Sequence, residues 1–194
     1  MTTPPTHAAD PAAATIAAMR ASFRSTKALA DKAVAQLPFD ALRRTLDPTV
    51  NSIAVIMKHV AGNLRSRFTD FLDSDGEKPW RHRDEEFVDR YTGRDELMAD
   101  WESGWAVLFA AIDALAPGDL LRQVTIRGEA QSVVVALARS LAHVSYHVSQ
   151  IVQDARIEAA RDGGPWRTLT IDRGASDAFN QATWGGASPK PTPQ

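Results

Sequence analysis

The chain has 194 residues, of which 44% are hydrophobic and 24% charged, with a formal net charge of −2 and no cysteine. This length suits one domain with a real core plus tails. The balanced charge, without any Lys/Arg run, argues against a nucleic-acid partner, and the lack of cysteine removes disulfides, thiolate metal sites and cysteine nucleophiles together.

Residues 1–10 hold Pro4 and Pro5 among small polar residues and read as a disordered tail. Met1 to Ala14 has no charged region followed by an apolar stretch, so it is not a secretory signal. No apolar run approaches bilayer-spanning length. The expectation is a soluble, cytoplasmic protein without a membrane partner, and the absence of cysteine fits a reducing compartment.

A first helix is expected from Pro11 to Leu37, with Ile16, Met19, Phe23, Ala30 and Val34 near helical spacing and a stop before Pro38. A second starts after Asn51 or Ser52, either a good N-cap, and runs to about Leu72 with the stripe Ile53, Ile56, Met57, Val60, Leu64, Phe68 and Phe71. The link from Leu72 to Tyr91 is long for a bundle turn and reads as a crossover or a lid. A third helix begins near Thr92, buries Leu97, Trp101, Leu108, Ile112 and Leu115, and stops at Pro117-Gly118. The fourth spans Glu129 to Arg161, with the stripe Val133, Leu137, Leu141, Val144, Val148, Ile151 and Ala155 and a stop at Gly163-Gly164-Pro165. The alternation in Gln123 to Arg127 and in Thr168 to Ile171 reads as short strands. The domain is therefore expected over residues 11–180, with a disordered tail over 181–194. The class is an all-α helix bundle, an architecture that builds metal sites from side chains on facing helices.

Three histidines carry the chemistry. His143 and His147 lie one turn apart on one helix face, and His59 is on the second helix. Neutral imidazoles are good ligands for zinc, nickel and related divalent ions, and three protein ligands leave a position for water or substrate. On a helical wheel His147 lies roughly 90° from the apolar centre of its stripe, and His143 and His59 are displaced too. A flank is where a cleft opens between helices, and also where any hydrogen-bonded polar residue is tolerated. With five histidines in the chain, a four-apart pair also arises by chance, so spacing leaves both readings open.

Other candidates are weaker. Asp73-Ser74-Asp75-Gly76-Glu77 fails the calcium-loop pattern, since with Gly76 at the turn the first and last ligand positions fall on Phe71 and His82. It reads as a polar loop. Arg81-His82-Arg83-Asp84-Glu85-Glu86 reads as a solvated charge run, and Trp101 with Trp105 as core or interface. No phosphate-binding Gly loop, Gly-x-Ser-x-Gly elbow or His-Glu-x-x-His motif occurs.

Asn51 to Ile56, Gly62-Asn63-Leu64-Arg65-Ser66-Arg67 and Asp75-Gly76-Glu77-Lys78 resemble the DinB-like superfamily, in its domain-of-unknown-function branch with a GNLRSR…DGEK signature. Thr125 to Glu129, Arg139 to His143, His147 to Val152, Trp166 to Leu169 and Phe179-Asn180 are similar to the same branch. The resemblance implies an up-up-down-down four-helix bundle, often dimeric, with a divalent metal such as zinc or nickel on three histidines. By position these are His59, His143 and His147. Relatives include thiol S-transferases acting on low-molecular-weight thiols and suspected hydrolases, so it implies a small-molecule substrate while leaving catalytic residues unassigned. Ser149 departs from the pattern, where Gly is expected, and is predicted to narrow the space near the site. A homodimer is also expected from Trp101, Trp105, Val107 and Phe109, which occupy more than one side of the third helix.

Overall fold

The computed structural model describes residues 10–185. Its helices are α1 (Pro11–Val34), α2 (Phe39–Arg43), α3 (Ile53–Phe68), α4 (Arg94–Asp113), α5 (Val133–Arg161) and α6 (Ser176–Trp184). A two-stranded antiparallel sheet, β1 (Gln123–Ile126) and β2 (Glu129–Ser132), completes the all-α bundle with minor strands. No helix among the described residues is long and apolar enough to cross a membrane.

Local chemistry sets the helix starts. The Asp10 carboxylate accepts from Ala12 N at 2.9 Å ahead of Pro11, and Ser52 Oγ accepts from Val55 N at 3.3 Å. α3 packs mainly on α4 and α1 on α5, with a further α3–α5 face. Gly104 sets the α3–α4 approach: a Cβ there would lie 2.6 Å from Ala61 Cα. Bonds from Arg94 to the Val34 carbonyl, Trp101 to Asp31 and Lys27 to Glu102 tie α4 to α1. Trp101 and Trp105 are each 1% exposed and stack edge-to-face in the chain's own core. They therefore add nothing to an outer surface.

Several boundaries differ from expectation. Glu129–Ser132 opens as a strand because Arg127 (φ 56°) and Gly128 (φ 77°) both adopt left-handed backbone, closing a two-residue hairpin onto Gln123–Ile126. Thr168 to Ile171 forms no strand. It runs irregularly over α1, where Gln36 exchanges two bonds with the Arg167 backbone and Lys32 donates to the Leu169 carbonyl. α3 stops at Phe68, four residues early, and Asp70 turns the chain with φ 46°. α1 likewise ends at Val34, and the short α2 follows Pro38. α6 continues past residue 180, so Gln181 to Trp184, expected in the tail, are helical; the rest of both expected tails, 1–9 and 186–194, lies outside the described residues.

The link after α3 decides how the site is covered. Ser66 Oγ donates to the Gly76 carbonyl and Arg67 reaches the same oxygen, while Gly76 N donates to the Thr125 carbonyl. Asp75 accepts from the backbone N–H groups of Glu77, Arg127 and Gly128 at 2.7–2.8 Å, which holds its carboxyl well below the usual range. Thus the loop is pinned to α3 and to the hairpin turn together. It continues into a 3₁₀ turn, Arg83–Phe87, packed on α3.

Candidate metal centre

α3 and α5 face each other with His59 on one and His143 and His147 on the other. One ring nitrogen from each comes within 4.8 Å of the others, a group that can hold a metal ion. The rings of His143 and His147 lie 4.6 Å apart between centroids, as one-turn spacing dictates, and His59 lies 5.4 Å and 4.9 Å from them. His59 Nε2 and His143 Nε2 approach to 3.4 Å.

Hydrogen bonds on the far side of two rings orient their lone pairs. His59 Nδ1 lies 2.8 Å from Glu86 Oε2. An ionised carboxylate can only accept, so Nδ1 carries the proton and Nε2 keeps its lone pair toward the cluster. His147 Nδ1 meets Gln150 Oε1 at 2.8 Å, with the same consequence. A partner behind the ring is the usual support of a metal-binding imidazole. His143 Nδ1 is buried without a hydrogen-bond partner.

Electrostatics favour the neutral form of the two α5 donors. Burial, then the neighbouring His147 and His59 and the charges of Arg81 and Arg67, push His143 down to about 4. Burial also lowers His147, partly opposed by its bond to Gln150. A neutral imidazole at pH 7 is the form that binds metal.

Glu86 was invisible as a functional residue in the sequence, inside a charge run that reads as solvated. The structure corrects that reading for two of the six residues. The Glu86 side chain is 9% exposed and that of Arg81 2%. Arg81 Nε and Nη2 grip both Glu86 oxygens at 2.8 and 2.9 Å. Burial pushes the Glu86 carboxyl up, but the bonds from His59 and Arg81 and the guanidinium charge outweigh it and hold it below the usual range. Gly62 makes room for this pair, since a Cβ there would sit 2.3 Å from Glu86 Oε1. Because the link covers the outer flank of α3, His59 is only 5% exposed, deeper than its flank position on the wheel suggests. His59 also stacks on Phe87 of the 3₁₀ turn, 5.0 Å between centroids.

Ser149 does not narrow the site. It is exposed, and its Oγ donates to the Ser145 carbonyl of its own helix at 2.8 Å. On the other side of His59 and His143 lies a cavity of about 220 Å³, whose wall includes Asn63, Phe68, Phe71, Ile126 and Ser140. The residues present fit a divalent ion: three imidazole nitrogen donors converge, two with a hydrogen-bond partner behind the ring, beside a space that can admit a further ligand.

Neither the curated proteins nor the solved structures compared contain a match to this chain. A family model, described as "Protein of unknown function (DUF1572)", matches residues 10–175 and so takes in both histidine helices, the covering link and the hairpin. The chain belongs to that family.

Proposed function

We propose that His59, His143 and His147 hold a divalent ion of the zinc or nickel type, and that the protein is a metal-dependent enzyme of the thiol S-transferase or hydrolase kind. The convergence of the three ring nitrogens within 4.8 Å carries this reading. The resemblance of the Gly62–Arg67 and Asp75–Lys78 motifs supports placing the family among the DinB-like proteins, and with it a homodimer working in the cytoplasm on a low-molecular-weight thiol or similar small molecule.

When bound, such an ion supplies Lewis acidity and makes a water or thiol nucleophilic at neutral pH. That would give a chain without cysteine access to thiol chemistry. The chain's own residues then position and shield. Glu86 fixes the proton of His59 on Nδ1, Gln150 does so for His147, and Phe87 covers the His59 ring from water. The cavity against His59 and His143 receives the substrate.

A second reading, a non-catalytic small-molecule-binding bundle, is favoured by one observation. No Asp or Glu lines the cavity among the described residues, and Glu86 is fully engaged, so no ready general base stands there.

The test is metal content and affinity of His59→Ala, His143→Ala and His147→Ala, with Ser149→Ala as control. Each histidine variant should lose most bound metal, because water replaces one of three protein ligands. Undiminished binding in any of them removes that histidine from the centre. Turnover of thiol acceptors, esters or amides that is lost on chelation and restored by metal distinguishes the enzyme from the binder.

A further inference from the structure

The cavity beside the histidines has a charge imbalance that the metal reading leaves unused. Arg67, Arg81, Arg83, Arg127 and Arg139 line it, and no carboxylate does among the described residues. Three carboxylates pair with four of these five guanidiniums. Glu77 serves Arg67, Arg81 and Arg127, Glu86 serves Arg81, and the exposed Asp84 lies 4.0 Å from Arg83. Arg139 has no ion pair or hydrogen bond among the described residues. It sits on α5 one turn before His143, exposed at the cavity's edge.

Besides His143 Nδ1, two buried polar atoms of residues lining this cavity are unsatisfied. Arg81 spends Nε and Nη2 on Glu86, but its Nη1 makes no hydrogen bond, with Glu77 Oε2 standing off at 3.6 Å. Ser140 Oγ, on the turn of α5 before His143 and beside Arg139, has no partner either. Buried donors are almost always paired in native proteins, so two left open among the residues lining one cavity call for an acceptor from outside the chain. Arg67 and Arg127 keep further N–H groups beyond those given to Glu77, because each guanidinium carries five. Forked donors of this kind match the paired oxygens of a carboxylate or phosphate.

We propose that this cavity binds the oxyanion group of a small anionic substrate, a carboxylate or a phosphate monoester, and holds the rest of that molecule against the three-histidine centre. Arg139, Ser140 and Arg81 Nη1 are its principal donors, with Arg67 and Arg127 supplying the surrounding positive field. A space of about 220 Å³ suits a metabolite-sized molecule and excludes a folded partner. Only the orientation toward the histidines rests on the metal reading. The anion site itself stands on the arginines and the two open donors.

The experiment is calorimetric titration of the chelator-stripped full chain with inorganic phosphate, succinate and neutral succinamide, at low and moderate salt. Stripping keeps a bound metal from capturing the anion. Saturable binding of one anion per chain, weakened by salt and absent for succinamide, is expected, and the tighter of the two anions identifies the oxyanion type. Arg139→Ala should weaken binding roughly tenfold or more, as loss of a charge-assisted hydrogen bond implies. Ser140→Ala should weaken it less, and zinc uptake by both variants should stay at the wild-type level. Arg139 is exposed and unpartnered, so its variant tests the site without threatening the fold. No anion binding by the wild-type chain, or binding unchanged in Arg139→Ala, overturns the proposal. Anion binding that survives while the histidine variants retain metal would instead overturn the metal reading alone.

Discussion

Gly62→Ala isolates the support behind the metal centre without touching a ligand. In an exposed helix this change stabilises by about 1 kcal/mol, because glycine is the costlier residue in a helix interior. Here the new Cβ would lie 2.3 Å from Glu86 Oε1 and 2.8 Å from its carboxyl carbon, against 3.4 Å or more for ordinary contact. The carboxylate must retreat by about 1 Å. It is not a free side chain end, since Arg81 holds both oxygens and His59 one of them. A retreat of that size stretches the 2.8 Å bond to His59 Nδ1 beyond hydrogen-bonding range. The His59 ring then loses both its tautomer lock and its orientation. Loss of such a partner typically costs 10- to 100-fold in metal affinity, or about 1.4–2.7 kcal/mol. Competition for zinc against a chromogenic chelator would measure it, with Gly118→Ala, where a Cβ meets nothing within 4 Å, as control. Glu86→Gln should move affinity in the same direction. If Gly62→Ala and Glu86→Gln both bind zinc like the wild type, the buried carboxylate plays no part in the centre.

Gly104→Ala should destabilise the bundle itself by about 1–3 kcal/mol in denaturant titration, since the clash is with Ala61 backbone that cannot swing away; unchanged stability would show that α3 and α4 do not cross so closely. Asp75→Asn should lower the melting temperature at pH 7 by weakening the tie between the link and the hairpin turn. Because the folded carboxyl is depressed, its contribution is full above the unfolded value near 3.9 and fades as pH falls below it, so the gap between wild type and variant should close in acid; a gap that persists under acid would count against the ionised carboxylate. Light scattering should give a dimer mass at micromolar concentration. With Trp101 and Trp105 committed to the core, this last expectation stands on the resemblance and on the half-buried Val107 and Phe109, and a monomer mass would reject it.

Periodicity determined the four long helices, because a stripe such as Ile53, Ile56, Val60 and Leu64 must be buried wherever the helix docks. The pairing of His143 with His147 was equally local, fixed by one helical turn. That His59 joins them was implied by resemblance to known motifs, and only the packing of α3 on α5 brings its Nε2 to 3.4 Å from His143. The rest of the site was decided between segments distant in sequence. Glu86 and Arg81 sit in a run of mixed charges that carries no sign of burial, and they are buried because the link folds back over α3 at Gly62. Asp75 looked like part of a polar loop, yet its carboxylate caps a hairpin turn more than fifty residues away. Charge is local information and desolvation is not. A carboxylate in water and one gripped by a buried guanidinium are the same letter in the sequence, and the tertiary structure alone decides which of them stands behind a histidine.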